Sequence, residues 1–312
     1  MKTNKDAHKS VLLDQAIEGL NIRPNGLYID GTYGCGGHSQ LILKKLNNQG
    51  QLLMFDKDQL AVNMARDKYG KDPRVSIFHK SFAEAVNVVE QMKLKNQVDG
   101  ILLDLGVSSP QLDDKERGFS FMKDGPLDMR MDQTSGLSAS DWIAHADEHE
   151  MTSIFRNFGE EKFAKRIAKE IISFRSREPI LTTYQLTSVI EKALPFKEKN
   201  KHPATRTFQA IRIHINKELV DLEIALENLL KILSSKARIV IISFHSLEDR
   251  IVKRYMRDQE RGPIYPKRLP IKHKKIQGSL RIIGKAIKPC DQEIRNNPRA
   301  RSAIMRIAEV TA

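Results

Sequence analysis

The sequence predicts an α/β fold: a doubly wound parallel sheet interrupted by an inserted, mainly helical domain. Three observations predict it. Short apolar runs alternate with helical patterns over residues 1–110, as strands and helices do in βαβ units. Three of those runs end in an aspartate, at Asp30, Asp56 and Asp104. The alternation is absent over 111–216 and resumes within 217–312, with a strand pattern at Ile239-Val240-Ile241-Ile242.

Taken in order, Ser10 is placed to cap a short helix carrying Leu12, Leu13, Ala16, Ile17 and Leu20. Pro24-Asn25-Gly26 is a turn. Leu27, Tyr28 and Ile29 form a buried strand closed by Asp30. Gly31, Gly34, Gly36 and Gly37 follow, and Ser39 opens a helix with Leu41, Ile42, Leu43 and Leu46. Glycine admits backbone angles closed to other residues and lets a ligand approach the main chain. The spacing is neither G-x-G-x-x-G nor a phosphate loop ending in Lys-Ser/Thr. A nucleotide-like cofactor site and a plain strand-to-helix turn therefore both fit.

Leu52-Leu53-Met54-Phe55 is a second strand ending in Asp56, and Asp58 caps the helix through Ala61, Val62 and Ala65. Asp56 stands where a nucleotide-binding fold sets an acid against ribose hydroxyls. Val75, Ile77 and Phe78 mark a third strand. Phe82, just beyond it, is either core or the wall of an adenine site. Ile101-Leu102-Leu103-Asp104 is a fourth strand. In a parallel sheet the three aspartates share one edge. Three carboxylates there call for a cofactor with hydroxyls or positive charge and make a poor phosphate site.

In the insert, Arg117 to Phe121 and Asp128 to Asp132 suggest an ordered loop with no helical period. Phe163, Ile167 and Ile171 mark one helix, and Thr182 with Gln185 forms the capping box of another, ending at Pro195. His202 to Thr207 reads as a loop. Phe208, Ile211, Ile215, Leu219, Leu222, Leu226, Leu229 and Leu233 form one long helical stripe. After the strand at Ile239–Ile242, Ser246 is the expected cap of the next helix, with Asp249 at its third position. Further strand patterns occur at Ile282-Ile283 and Ala303 to Ile307. Between the Ile239–Ile242 strand and Ile282, Lys267 to Lys275 carries five basic residues near Pro263, Pro266 and Pro270, and suggests a mobile basic loop.

The 312 residues hold 52 Lys+Arg against 39 Asp+Glu, a net charge of +13, which suits a polyanion such as nucleic acid. The two cysteines, Cys35 and Cys290, are too few and too distant for a disulfide framework or zinc site, so no metal is expected. Residues 1–10 are polar and no apolar run approaches the length of a membrane span. A cytoplasmic location is expected, with no membrane partner.

Several blocks together resemble one family. They are Gly31-Thr32 through Gly36-Gly37-His38-Ser39, Asp104-Leu105-Gly106-Val107-Ser108-Ser109-Pro110-Gln111-Leu112-Asp113, His202 to Ala210, Ser243 to Arg250, and Asn297 to Ala303. They are similar to the bacterial 16S ribosomal RNA cytosine-N4 methyltransferases, the RsmH/MraW family, across essentially the whole chain. The resemblance implies a class I S-adenosylmethionine-dependent methyltransferase, with a Rossmann-like doubly wound sheet and an inserted substrate-recognition domain. It implies methylation of a cytosine in the decoding centre of 16S rRNA, within a nearly assembled small subunit. It also implies S-adenosylmethionine contacts at Gly36, Gly37, His38, Asp56, Phe82, Asp104 and Gln111.

The N4 amine is a weak nucleophile because its lone pair is delocalised into the ring. An acceptor must hold its hydrogens and take the released proton. Other amino-methyltransferases carry Asp/Asn-Pro-Pro-aromatic after the fourth strand, whereas this chain has Asp104-Leu105-Gly106-Val107-Ser108-Ser109-Pro110. Asp104, the Ser108–Ser109 backbone and Asp128 are the catalytic candidates. Phe119 or Phe121 is a candidate to stack on an extruded base, or else core. Arg206, Lys272, Lys274 and Lys275 are the candidate RNA contacts. A non-catalytic ribosome-assembly factor with the same fold is the alternative, and the chain is expected as monomer or homodimer.

Overall fold

The structure is a computed structural model that describes residues 10–196, 202–262 and 278–311. The chain divides into two units, residues 1–106 with 219–312, and residues 107–218.

In the first unit α1 (Leu13–Leu20) precedes β1 (Leu27–Asp30), α2 (Gly37–Lys45), β2 (Gln51–Asp56), α3 (Gln59–Tyr69), β3 (Val75–His79), α4 (Ala85–Gln91) and β4 (Val98–Asp104). After the insert the chain returns through α11 (Glu218–Leu229), β5 (Leu233–Ser243), α12 (Ser246–Arg261), β6 (Leu280–Ile282), α13 (Asp291–Asn296) and β7 (Ile304–Val310). The strands form one sheet in the order β3-β2-β1-β4-β5-β7-β6. The first five are parallel, and β7 enters antiparallel to both β5 and β6.

Alternation along each strand builds the two faces. Tyr28, Leu52, Leu102 and Val240 enter one core, while Ile29, Leu53, Leu103 and Ile239 enter the other. Each such side chain contributes roughly 1.5–3 kcal/mol on burial. Helices cover both faces, so β1 is buried along its whole length.

The second unit contains α5 (Ser109–Asp113), α6 (Ala139–His145), α7 (Glu148–Gly159), α8 (Ala164–Arg175), α9 (Thr183–Ala193) and α10 (Thr205–Asn216). Phe155, Ile167, Ile171, Leu186, Ile190 and Ile211 form the heart of its core. The Thr182–Gln185 capping box is present at α9. Arg117 is buried, and its Nη2 donates to the carbonyls of Arg130 (3.1 Å) and Met131 (2.9 Å). Asn216 grips the same loop, donating to Met129 O and accepting from Met131 N, both at 2.7 Å. The segment from 117 to 132 is thus pinned from inside.

Five local expectations are corrected. Ser10 does not cap α1: the chain turns at Leu12 in a left-handed conformation (φ 50°), and Leu12 N donates to Glu293 instead. Helix α2 starts at Gly37, with Gly36 as its cap, two residues ahead of Ser39. The long apolar stripe is two helices and a strand. It breaks at Lys217 (φ 53°), where Arg212 holds Glu218 through two 2.8 Å hydrogen bonds, and Leu233 already belongs to β5. Arg206 and Thr207 are in the first turn of α10, not in a loop. His245, not Ser246, caps α12, with Glu248 as its third residue. Lys267 to Lys275, and with them Lys272, Lys274 and Lys275, lie outside the described residues.

Among the described residues no helix is long and apolar enough to cross a membrane.

Candidate active site at the carboxyl edge of the sheet

Asp30, Asp56 and Asp104 end three neighbouring parallel strands, so the sheet brings them to one edge. Their environments differ sharply. Asp30 is fully buried. Its Oδ1 accepts the Thr32 amide at 3.1 Å and its Oδ2 accepts the Ser39 hydroxyl at 2.6 Å. Burial pushes this carboxyl above the usual range, and the Ser39 bond opposes the shift. Asp30 therefore clamps the turn from β1 into α2 instead of facing a ligand.

Asp56 is half-buried, accepting from Gly34 N and Asp58 N, both at 2.8 Å. Burial raises its pKa to about 6 against those two bonds. Asp58 N-caps α3 through Leu60 N at 3.0 Å. Asp104 is anchored by its backbone, whose N–H donates to Thr32 Oγ1 at 2.6 Å. Its Oδ2 lies 3.4 Å from His38 Nε2, close enough for charge pairing but not aligned as a hydrogen bond. Asp104 Oδ1 and both ring nitrogens of His38 are buried without a hydrogen-bond partner among the described residues. Burial disfavours a charged His38, but Asp104 and Asp30 outweigh it and hold the imidazole above its ordinary pKa.

The glycines serve packing as well as conformation. Gly36 adopts φ +74°, and a Cβ there would fall 2.5 Å from the Tyr33 hydroxyl. A Cβ on Gly37 would fall 2.2 Å from Ser10 Oγ. With Gly36 as cap, the N-terminus of α2 makes no hydrogen bond to a capping side chain.

Phe82 opens a one-turn 3₁₀ helix after β3 and packs partly against the sheet core. Beside it Ser81 donates to Asp221 Oδ2 at 2.5 Å, and Lys57 reaches the same oxygen at 2.6 Å. Asp221 thereby ties α11 to the loops after β2 and β3. Sequence reasoning missed Asp221 and Thr32. Their partners lie 140 and 72 residues away, and no local pattern marks such pairs.

In the helical unit the other candidates are largely engaged. Gln111 is buried and its Oε1 accepts the Ser108 amide at 2.9 Å, which closes the first turn of α5, and Ser109 is buried beside it. Both oxygens of Asp128 are held by Arg130 (2.8 and 2.9 Å), with Gln133 adding a third side-chain donor at 3.2 Å. Burial favours its neutral form, but the Arg130 bonds prevail and keep the carboxyl below the usual range. That environment makes Asp128 a poor proton acceptor. Phe119 is corrected from stacking candidate to core, since its ring is buried among apolar neighbours. Phe121 is half-buried, stacked on His202 at 4.4 Å and edge-on to Phe208 at 5.3 Å. Arg206 faces Glu161 at 3.9 Å.

A five-stranded parallel sheet completed by an antiparallel hairpin, with acids at its carboxyl edge and a glycine turn into α2, defines the class I methyltransferase architecture. The chain matches the MraW methylase family over residues 5–311 and belongs to that family. It is a methyltransferase. It is 51% identical over 308 residues to the ribosomal RNA small subunit methyltransferase H of Alteromonas mediterranea, covering 98% of each chain. Among solved structures it has a weak likeness to an rRNA methylase from Streptococcus thermophilus (9% identity, TM-score 0.42, 98% of this chain and 99% of that one). A SAM-dependent methyltransferase from Aquifex aeolicus is similarly distant (10% identity, TM-score 0.38, 99% and 94%).

Proposed function

We propose that this chain transfers a methyl group from S-adenosylmethionine to N4 of a cytosine in 16S ribosomal RNA, in the cytoplasm. Family membership and the relative's name support the substrate. The observation that carries the chemistry is the buried, unpartnered Asp104 Oδ1 beside His38.

The edge fits S-adenosylmethionine. Asp56, ionised above about pH 6, is an acceptor for ribose hydroxyls. The N-terminus of α2, which Gly36 leaves without a side-chain cap, suits a carboxylate. Phe82 offers an apolar wall, and the carboxylates suit a cation. Gly36, Gly37 and His38 line the start of α2. When bound, the cofactor supplies an electrophilic methyl group on a sulfonium.

The chain must then make the N4 amine nucleophilic. Asp104 accepts an N4 hydrogen through Oδ1, which draws the nitrogen toward a pyramidal geometry and returns its lone pair from the ring. N4 would take the methyl group of the bound cofactor, the carbon–sulfur bond breaking as the carbon–nitrogen bond forms, and Asp104 would take the N4 proton and pass it to solvent. His38 lies beside it, with Nε2 3.4 Å from Asp104 Oδ2. Asp128 and the Ser108 amide are weaker acceptor candidates, being held by Arg130 and Gln111. Residues 107–218 serve as the substrate-recognition unit, and the substrate is a nearly assembled small subunit whose folded RNA presents the cytosine.

Radiolabelled methyl transfer to isolated small subunits and to naked 16S rRNA, with nucleoside analysis, tests this. N4-methylcytidine formed preferentially on the particle is expected. No transfer to either substrate would sink the enzymatic role in favour of an assembly factor. Label on another atom would sink the N4 chemistry, and equal rates would remove the particle requirement.

A further inference from the structure

Lys165, Arg166 and Lys169 stand on one exposed face of α8, and Lys162 is exposed in the turn leading into it. Positions three and four apart on a helix are neighbours, so this is a compact cluster of like charge. None of the four forms an ion pair among the described residues. Two nearby acids have other partners: Glu161 accepts the Phe163 amide at 2.9 Å and faces Arg206 at 3.9 Å, and Glu170 pairs with Lys192 at 2.7 Å.

The arrangement works against the helix that carries it. Lys165 and Arg166 lie in the first turn of α8, where the helix dipole opposes cations; no acid occupies that turn, and the carboxylate at the helix start is Glu161, which accepts the Phe163 amide at 2.9 Å. Lys165 and Lys169 add a like-charge pair at four-residue spacing. An ordinary solvated face intersperses acids at these positions. Close in sequence to Lys162, Phe163 holds the edge of Phe196 at 5.5 Å and 86°. Phe196 is 60% exposed and borders a cleft shared with Phe163, Leu194, His202 and Arg206. A cationic track beside an exposed aromatic ring is the arrangement that holds single-stranded nucleic acid: cations follow the phosphates and the ring takes an unstacked base.

We infer that Lys162, Lys165, Arg166 and Lys169 with Phe196 form an RNA-binding surface of the helical unit. The inference rests on the proposed action on RNA. It places strand tracking on α8 and assigns base stacking to Phe196, in place of Phe119.

The test compares the full chain with the K162A/K165A/R166A/K169A variant and with F196A. Binding to a cytidine-containing single-stranded 16S fragment is measured from low to physiological salt. The quadruple variant should lower the log–log salt slope by about 0.7 per lost contact, about 2.8 if all four contribute. Its melting temperature should hold or rise, since repulsion is removed. F196A should weaken binding about 5- to 150-fold with little change in slope. Arginine at the three lysine positions should retain the slope. S-adenosylmethionine affinity should be unchanged in every variant. An unaltered slope with methyl transfer intact in the unaltered chain overturns the surface alone. Absent methyl transfer by the unaltered chain overturns the functional reading and the surface with it. Loss of binding to anionic vesicles with RNA binding unaltered assigns the face to a lipid surface instead.

Discussion

At the sheet edge Asp104 Oδ1 and the His38 ring are buried with no hydrogen-bond partner, whereas in the helical unit Asp128, Gln111 and Asn216 are engaged from within. All five residues attract notice as polar groups in unusual places. A buried polar atom left unsatisfied costs about 1–3 kcal/mol, and at the sheet edge a ligand could complete it; Thr152 and Thr207 in the helical unit also carry such an oxygen. A satisfied one is part of the scaffold. The contrast separates the residues proposed to do chemistry from residues that shape a loop, although both kinds look alike along the chain.

The most direct way to break this contrast is Asp104→Asn, which keeps the backbone bond to Thr32 and removes the base. Single-turnover methylation should fall about 10²- to 10⁴-fold with the melting temperature nearly unchanged. Near-normal turnover would make the edge acid a scaffold. Asn216→Ala should do the reverse. It strips the bonds to Met129 and Met131 and should cost about 2–3 kcal/mol of stability in denaturant unfolding, while folded molecules retain cofactor affinity.

Asp56 sharpens the comparison because it is satisfied by two amides and still proposed to bind. Asp56→Ala should weaken S-adenosylmethionine binding by about 1.5–3 kcal/mol in calorimetry. Its pKa of about 6 gives a pH signature. As pH falls through about 6 the carboxylate takes a proton, so cofactor affinity should drop by at most about tenfold per pH unit. Stability moves the other way. The folded value lies above the ordinary carboxylate value of 3.8, so the folded state favours protonated Asp56. That stabilisation is full below pH 3.8 and lost as pH rises through about 6. Parallel loss of affinity and stability on acidification from pH 7 to 5 would point to a different group.

The smallest effect concerns a cap. His245→Ala should cost about 1 kcal/mol and Ser246→Ala under about 0.5, because the His245 ring accepts the Glu248 amide. The opposite ranking would restore Ser246 as the cap.

What the sequence determined by itself was local. Short apolar runs placed β1 to β4, three of them with a terminal aspartate, four close glycines marked the turn into α2, and Asp58 and Thr182 announced their helices. Each signal lies within a few residues of what it specifies. The tertiary structure decided which of three equivalent aspartates is filled by Thr32 and Ser39 and which is left open beside His38. It also broke the long apolar stripe at Lys217 and brought Asp221 to Ser81 across 140 residues. Those outcomes depend on which side chains meet after the sheet assembles. Periodicity records which face a residue takes, and it carries no record of the partner waiting there.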